Sequence, residues 1–157
     1  MNKVPGYIKS MQILATALIV GLLVFTAIII FLNFTMGEKY SETPVKGMND
    51  IFLGMSAALL VITGLAALQI YRKGVQQARN LTGSIHDKLD IYRSTLIKYL
   101  ALSESAGLLS VISLFLTADL RLLAVTAISL LLMLRGYVTK KKLVNELQLS
   151  WQEEQDL

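Results

Sequence analysis

The sequence predicts an all-α membrane protein, a four-transmembrane-helix antiparallel bundle with cytoplasmic helical extensions. Three observations point there: hydrophobic residues make up 54% of the 157-residue chain against 17% charged, the mean hydropathy is +0.58, and the charges cluster between long apolar stretches. A soluble domain instead spreads its charges over its surface and carries about a quarter of its residues charged. With no Cys and one His, His86, the chain cannot assemble a disulfide framework, a thiolate metal site, a Cys nucleophile or a bis-His haem site. No metal and no cofactor are expected.

A helix crosses the hydrocarbon of a bilayer with about 20 residues at about 1.5 Å each. Residues 10–37 carry no charge, which places a first span at about 10–32. Lys3 and Lys9 make a basic front like that of a signal peptide. The apolar run is longer than the roughly 7–15 residues of such a segment, and no A-x-A cleavage pattern follows, so a retained signal-anchor helix is expected. A second uncharged run sets a span at 51–71. The third span, 99–118, is interrupted only by Glu104. The fourth, about 120–138, has a short uncharged centre between Arg121 and Arg135, and spans if both arginines extend toward the headgroups. Both prolines, Pro5 and Pro44, lie outside the spans, so straight helices are expected rather than the broken helices on which many transporters bind substrate.

Between the spans, residues 33–50 read as an outer loop with Gly37, Pro44 and Gly47, in which Asn49 or Asp50 caps the second helix. Residues 72–98 and 139–157 read as cytoplasmic helical extensions. Val75 and Ala78 continue the second helix. Ser84-Ile85-His86-Asp87 has the pattern of a capping box, followed by Ile85, Leu89, Tyr92, Leu96 and Tyr99 at spacings of four and three. Leu143 or Val144, Leu147 and Trp151 extend the fourth helix in the same way, and Trp151 with the acidic tail is a candidate docking point. A short turn around Asp119 makes the last two helices antiparallel neighbours. His86, beside Asp87 with no second ligand near it, reads as a solvated helix-start residue.

Charge sets the expected orientation. Apart from Lys39, Lys46 and Arg121, every Lys and Arg falls on one side of these spans. The positive-inside rule then places both termini in the cytoplasm of a multi-pass bacterial inner-membrane protein. Tyr7, Tyr71, Tyr99 and Tyr137 each fall at that end of a different span, as an interfacial tyrosine belt would. Lys140, Lys141 and Lys142 are expected to contact lipid headgroups. Membrane lipids and further copies or subunits are the expected partners. Nucleic acid is not, because the basic residues form no aromatic-interleaved face.

Within the spans, Ser103, Gly107, Ser110 and Ser113 on the third helix, and Gly54, Ala57, Ala58 and Gly64 on the second, recur at helix-packing intervals. Glu104 is the single charge inside a span and needs a partner, water or a proton. Residues 104 and 135 are equidistant from the turn at about 119, so the hairpin puts Glu104 and Arg135 at equal depth. They are expected to pair, with Ser103 and Ser105 as supporting donors, and losing one partner of such a pair is costly. An ion carrier using Glu104 is the alternative.

From Tyr92-Arg93-Ser94-Thr95-Leu96-Ile97-Lys98-Tyr99 through Ala101-Leu102-Ser103-Glu104 to Leu116-Thr117, the chain resembles a family of small, uncharacterised four-helix inner-membrane proteins of Bacteroidota. The resemblance implies a Tyr-Arg start, a Glu in an Ala-Leu-Leu-Glu setting and a short turn before the fourth helix. Ser103 and Ser105 depart from its more typical Leu and Gly. A weaker likeness is to rotor-ring proteolipids, which are of similar length and carry a membrane Glu; here the glycines are few and the Glu lies in the third helix. A trimeric four-helix membrane transferase resembles the chain in size and helix count alone. The expected function is that of a structural or accessory membrane subunit that self-associates, with no catalytic residues assigned.

Overall fold

A computed structural model of the protein describes residues 6–40, 48–82 and 84–155. These residues form six helices: α1 (Tyr7–Tyr40), α2 (Met48–Asn80), α3 (Ile85–Thr117), α4 (Leu122–Arg135), α5 (Lys140–Leu147) and α6 (Trp151–Gln155). No strand occurs among the described residues. Three helices are long and apolar enough to cross a membrane, and a fourth span results if α4 and α5 are counted as one broken unit. At about 1.5 Å per residue, the 34 residues of α1 and the 33 each of α2 and α3 measure about 50 Å. That exceeds the roughly 30 Å of hydrocarbon, so these helices extend well beyond the slab a bilayer would occupy.

Each long helix turns one stripe inward. On α1 it is Met11, Ala15, Ile19, Leu22, Thr26 and Ile29, at the four-and-three spacing that suits shallow left-handed crossings. Asn33 continues the stripe and donates from Nδ2 to the Leu114 carbonyl at 3.0 Å. The inward side of α2 is made of Ser56, Thr63, Gly64, Ala67, Val75 and Ala78, small residues that let two helix backbones approach. Gly54, Ala57 and Ala58 face out instead. Central α3 touches α1, α2 and α4, with its most extensive contact on α2. It buries Ser103, Gly107, Ser110 and Ser113 along with its large apolar side chains.

Buried hydroxyls of α3 and α4 bond to one another and to carbonyls. Ser110 donates to the Leu122 carbonyl at 2.6 Å, Thr126 donates to Ser110 at 3.2 Å, and Ser129 donates to the Ser103 carbonyl. Among the described residues no buried side-chain nitrogen or oxygen lacks a partner, as an apolar setting requires because an unmet polar group there is expensive.

Three helix boundaries bear on the expected loops, and two of them depart from expectation. First, α1 runs through the start of the expected outer loop to Tyr40, and Asp50 sits in the first turn of α2 rather than before it. Pro44 and Gly47 lie outside the described residues. Second, α3 starts where its capping box places it: Ser84 accepts from the Asp87 backbone N–H, while the Asp87 carboxylate accepts from the Ser84 N–H at 3.1 Å.

The third boundary, at the end of the fourth helix, departs from expectation. The expected straight span of 120–138, continuing into the tail, ends at Arg135, and the chain turns by 73° into α5. Three local features make this elbow. The backbone N–H groups of Gly136 and Tyr137 bond to carbonyls three residues back, closing a tight turn. Thr139 is extended and caps α5 by accepting from Lys142 N–H at 3.2 Å. Gly136 lies against a ring: a Cβ there would stand 2.6 Å from Tyr99 Cε1. The apolar stripe of Leu143 and Leu147 is present and buried, with α5 packed on α2 and Glu146 reaching α3 through Tyr92.

Candidate functional site

The four helix ends at Tyr7, Asn80, Ile85 and Arg135 gather at one end of the bundle, called here the Tyr92 end. Tyrosines from α2 and α3 are drawn into the interior at this end. Tyr99 is 2% exposed and donates to the Leu132 carbonyl at 2.7 Å. Tyr71 is half-buried, and its ring centre lies 5.1 Å from that of Tyr99. The four expected belt tyrosines therefore differ in their surroundings: Tyr99 is buried, Tyr7 and Tyr71 are half-buried, and Tyr137 is exposed. Tyr7 donates to the Asp90 carboxylate with Arg93 over its ring, tying the start of α1 to α3.

At the centre is a carboxylate shared by two phenols. Tyr71 donates to Glu146 Oε2 at 2.6 Å and Tyr92 donates to the same oxygen at 2.8 Å. The two hydroxyls are themselves 3.0 Å apart. Hydrogen bonds to an ionised acceptor are about twice as strong as neutral ones, so this triad fixes α5 against α2 and α3. Arg79 adds two bonds to the Glu146 carbonyl, from Nε at 3.1 Å and Nη2 at 2.8 Å. Glu146 was not singled out from the sequence. The available signal was its place between Leu143 and Leu147, on the edge of the apolar stripe of α5 rather than opposite it.

Beside the triad, the elbow roofs a cavity of about 470 Å³ whose lining includes Arg72, Arg135, Lys142 and Thr139. Lys142 differs from its neighbours. Its ammonium donates to the Arg135 carbonyl at 2.5 Å and the Tyr137 carbonyl at 3.3 Å, placing a cation at the negative end of α4. It also lies 5.6 Å from the centre of the Tyr71 ring. Lys140 donates to the Glu154 carbonyl at 3.3 Å, and Lys141 is exposed. The three lysines thus have three different surroundings rather than one shared outward face.

Glu104 and Arg135 do not pair. Among the described residues the ion pairs are Lys88 with Glu153 and Arg121 with both Asp50 and Asp119. The depth argument omitted rotation about the helix axis. Ser103 faces α4 through Ser129, and the next residue points about 100° away. Glu104 falls on the α3 stripe with Ile97, Ala101, Leu108, Ile112 and Phe115, which no other helix covers. The supporting serines are also otherwise engaged, Ser103 donating to the Tyr99 carbonyl at 2.9 Å and Ser105 to the Leu102 carbonyl at 2.8 Å.

At the Tyr92 end the tail closes on α3. Lys88 Nζ lies 2.6 Å from Glu153 Oε1, and the Ser150 N–H donates to the same carboxylate at 2.8 Å. The Lys88 hydrogen bond, followed by that of the Ser150 backbone, holds the Glu153 carboxyl below the usual carboxylate range. Trp151, proposed with the tail as a docking point, is 73% exposed. Among the described residues no three of His, Cys, Asp and Glu lie close enough to share a metal ion, and His86 is exposed.

No family model, curated protein or solved structure matches the chain.

Proposed function

We propose that the protein is a four-span subunit of the bacterial inner membrane, structural or accessory in role, that self-associates through the open face of α3. In this reading the Tyr92 end is cytoplasmic, because it gathers nearly all the Lys and Arg, and α4 with its elbow is the fourth crossing. At 14 residues, about 21 Å, α4 needs the flanking Arg121 and Arg135 to complete its passage.

One observation carries the proposal: Glu104, half-buried, stands on the exposed apolar stripe of α3 and forms no ion pair among the described residues. A carboxyl facing lipid is unfavourable by up to about 3 kcal/mol on insertion scales. A second copy relieves this cost, since all copies insert in one orientation and carry Glu104 at one depth. Across a parallel two-fold contact a protonated Glu104 donates to its counterpart, while Ile97, Leu108 and Ile112 supply the packing.

The test is the mass of the purified protein in detergent. The wild type and Glu104→Gln, which keeps a donor and an acceptor, are expected to be oligomeric, and Glu104→Leu to shift to monomer. An unchanged mass for Glu104→Leu would rule the contact out. The lack of an Arg135 partner also favours a second reading, an ion-carrying carboxyl, because a neighbouring guanidinium would have held it ionised. That reading requires Glu104 to react with a hydrophobic carbodiimide, with protection by Na⁺ or high pH, and it requires Glu104→Gln to abolish ion flux.

A further inference from the structure

We propose that the cavity under the α4–α5 elbow binds the phosphate of an anionic lipid headgroup. The placement of this cavity at the membrane surface rests on the topology given above. Its chemistry rests on the charges that line it. Arg72 from α2, Arg135 from the end of α4 and Lys142 from α5 converge on about 470 Å³, and none of the three has a carboxylate partner among the described residues.

The one acid of the lining, Glu146, has its Oε2 taken up by the hydroxyls of Tyr71 and Tyr92, and the three cations outnumber it. Lys142 is fixed by the carbonyls of Arg135 and Tyr137, and the Thr139 hydroxyl uses its oxygen as acceptor for the α5 cap, leaving its proton to donate. Two guanidiniums, one ammonium and one hydroxyl match the oxygens of a phosphate, which guanidinium can bind in bidentate fashion. Leu68 and Tyr137 complete the lining toward the spans, where a lipid's glycerol and chains would continue. Basic pockets at the cytoplasmic ends of membrane helices hold headgroups by this combination.

The sequence reading placed lipid contacts on Lys140, Lys141 and Lys142 as a solvated run. The elbow instead separates Lys142 from the other two and joins it to two arginines that are distant in sequence. A specific site, unlike a basic surface, should depend on Arg72 and Arg135 and be indifferent to Lys141.

The experiment measures thermal stability in maltoside micelles during titration with phosphatidylglycerol, phosphatidylcholine or inorganic phosphate. The proteins compared are the wild type, the Arg72→Gln/Arg135→Gln double variant and Lys141→Gln. For the wild type and Lys141→Gln, phosphatidylglycerol is expected to raise the melting temperature saturably. The double variant should need about tenfold more or greater, the equivalent of about 1.4 kcal/mol, and phosphatidylcholine should act more weakly because its choline cation meets the same three cations. Protection by inorganic phosphate as strong as that by phosphatidylglycerol would assign the site to a free phosphate rather than a lipid. Equal protection of all three proteins, loss of the effect in Lys141→Gln, or no protection of any would overturn the site. Should the double variant melt too low to titrate, Arg72→Gln alone removes one donor from the exposed face of α2, again with a weaker lipid response expected. The topology is checked separately. A single Cys in place of Gln76 should react with an impermeant maleimide only after cells are opened, and reaction in intact cells would contradict the topology while leaving the binding result to stand or fall on its own.

Discussion

At one end of the bundle α3 and α4 are joined by residues 118–121, and among the described residues the ion cluster there is Arg121 with the exposed Asp50 and the largely covered Asp119. At the other, a fifth helix folds across α2 and α3, two phenols share one buried-edge carboxylate, and a basic cavity opens beneath the elbow. Both ends must terminate long apolar helices. One does so with a minimal turn and solvated charge, the other with tertiary structure. The difference teaches that the stability of this small protein is unevenly distributed, and that specific chemistry is concentrated where the chain has spent additional residues.

The largest expected effect is at Tyr92, whose side chain is fully buried and holds Glu146. Tyr92→Ala should cost about 3–5 kcal/mol, as for other large aromatic truncations, measured by unfolding in mixed micelles. A loss below 1 kcal/mol would show that the Tyr92 end is not the strong one. Two glycines of α2 sharpen the same contrast. A Cβ on Gly74 would fall on the Thr95 side chain, whereas one on Gly54 meets nothing within 4 Å. Gly74→Ala is expected to destabilise by about 1–3 kcal/mol through overpacking. Gly54→Ala is expected to stabilise by up to about 1 kcal/mol through helix propensity. Equal signs would contradict the close approach of α2 to α3.

A smaller effect concerns pH. Because the Glu153 carboxyl is held below its usual range, its contribution is complete above the unfolded carboxylate's value of about 4.3. It disappears as pH falls through the lower folded value. The anisotropy of Trp151, the single tryptophan, should therefore drop as the pH falls below about 4 and stay constant between pH 5 and 8. Lys88→Met should move that drop to higher pH. Smallest of all, Arg121→Gln should lower the melting temperature only slightly, since the guanidinium is largely exposed and such ion pairs contribute little. A large loss would promote the Arg121 end to equal standing.

The long helices were legible because their signals are local. Uncharged runs marked α1, α2 and α3, and the Ser84–Asp87 pair marked the start of α3 to the residue. The elbow was not, because nothing in residues 135–139 excludes a helix. Gly136 keeps helical dihedrals and is pressed against the Tyr99 ring, where a Cβ would not fit; that contact is made across the fold, and the chain leaves the helix only before the extended Thr139 that caps α5. The same omission explains the tyrosines and the lysines: their sequence positions fix depth, while α5 decides which of them face inward. Glu104 was correctly marked as the unusual residue and wrongly given a partner. Equal distance from a turn sets height along the bundle, but the facing direction depends on which helices surround α3.

The most direct test of self-association through α3 is disulfide cross-linking in native membranes, which the Cys-free chain permits with single substitutions. Ala101→Cys and Leu108→Cys, on the Glu104 stripe, are expected to form covalent dimers in high yield, while Val61→Cys and Ile62→Cys, exposed on α2, are expected to remain monomeric. Cross-linking on α2 equal to that on α3, or none at the α3 positions, would contradict the proposed contact.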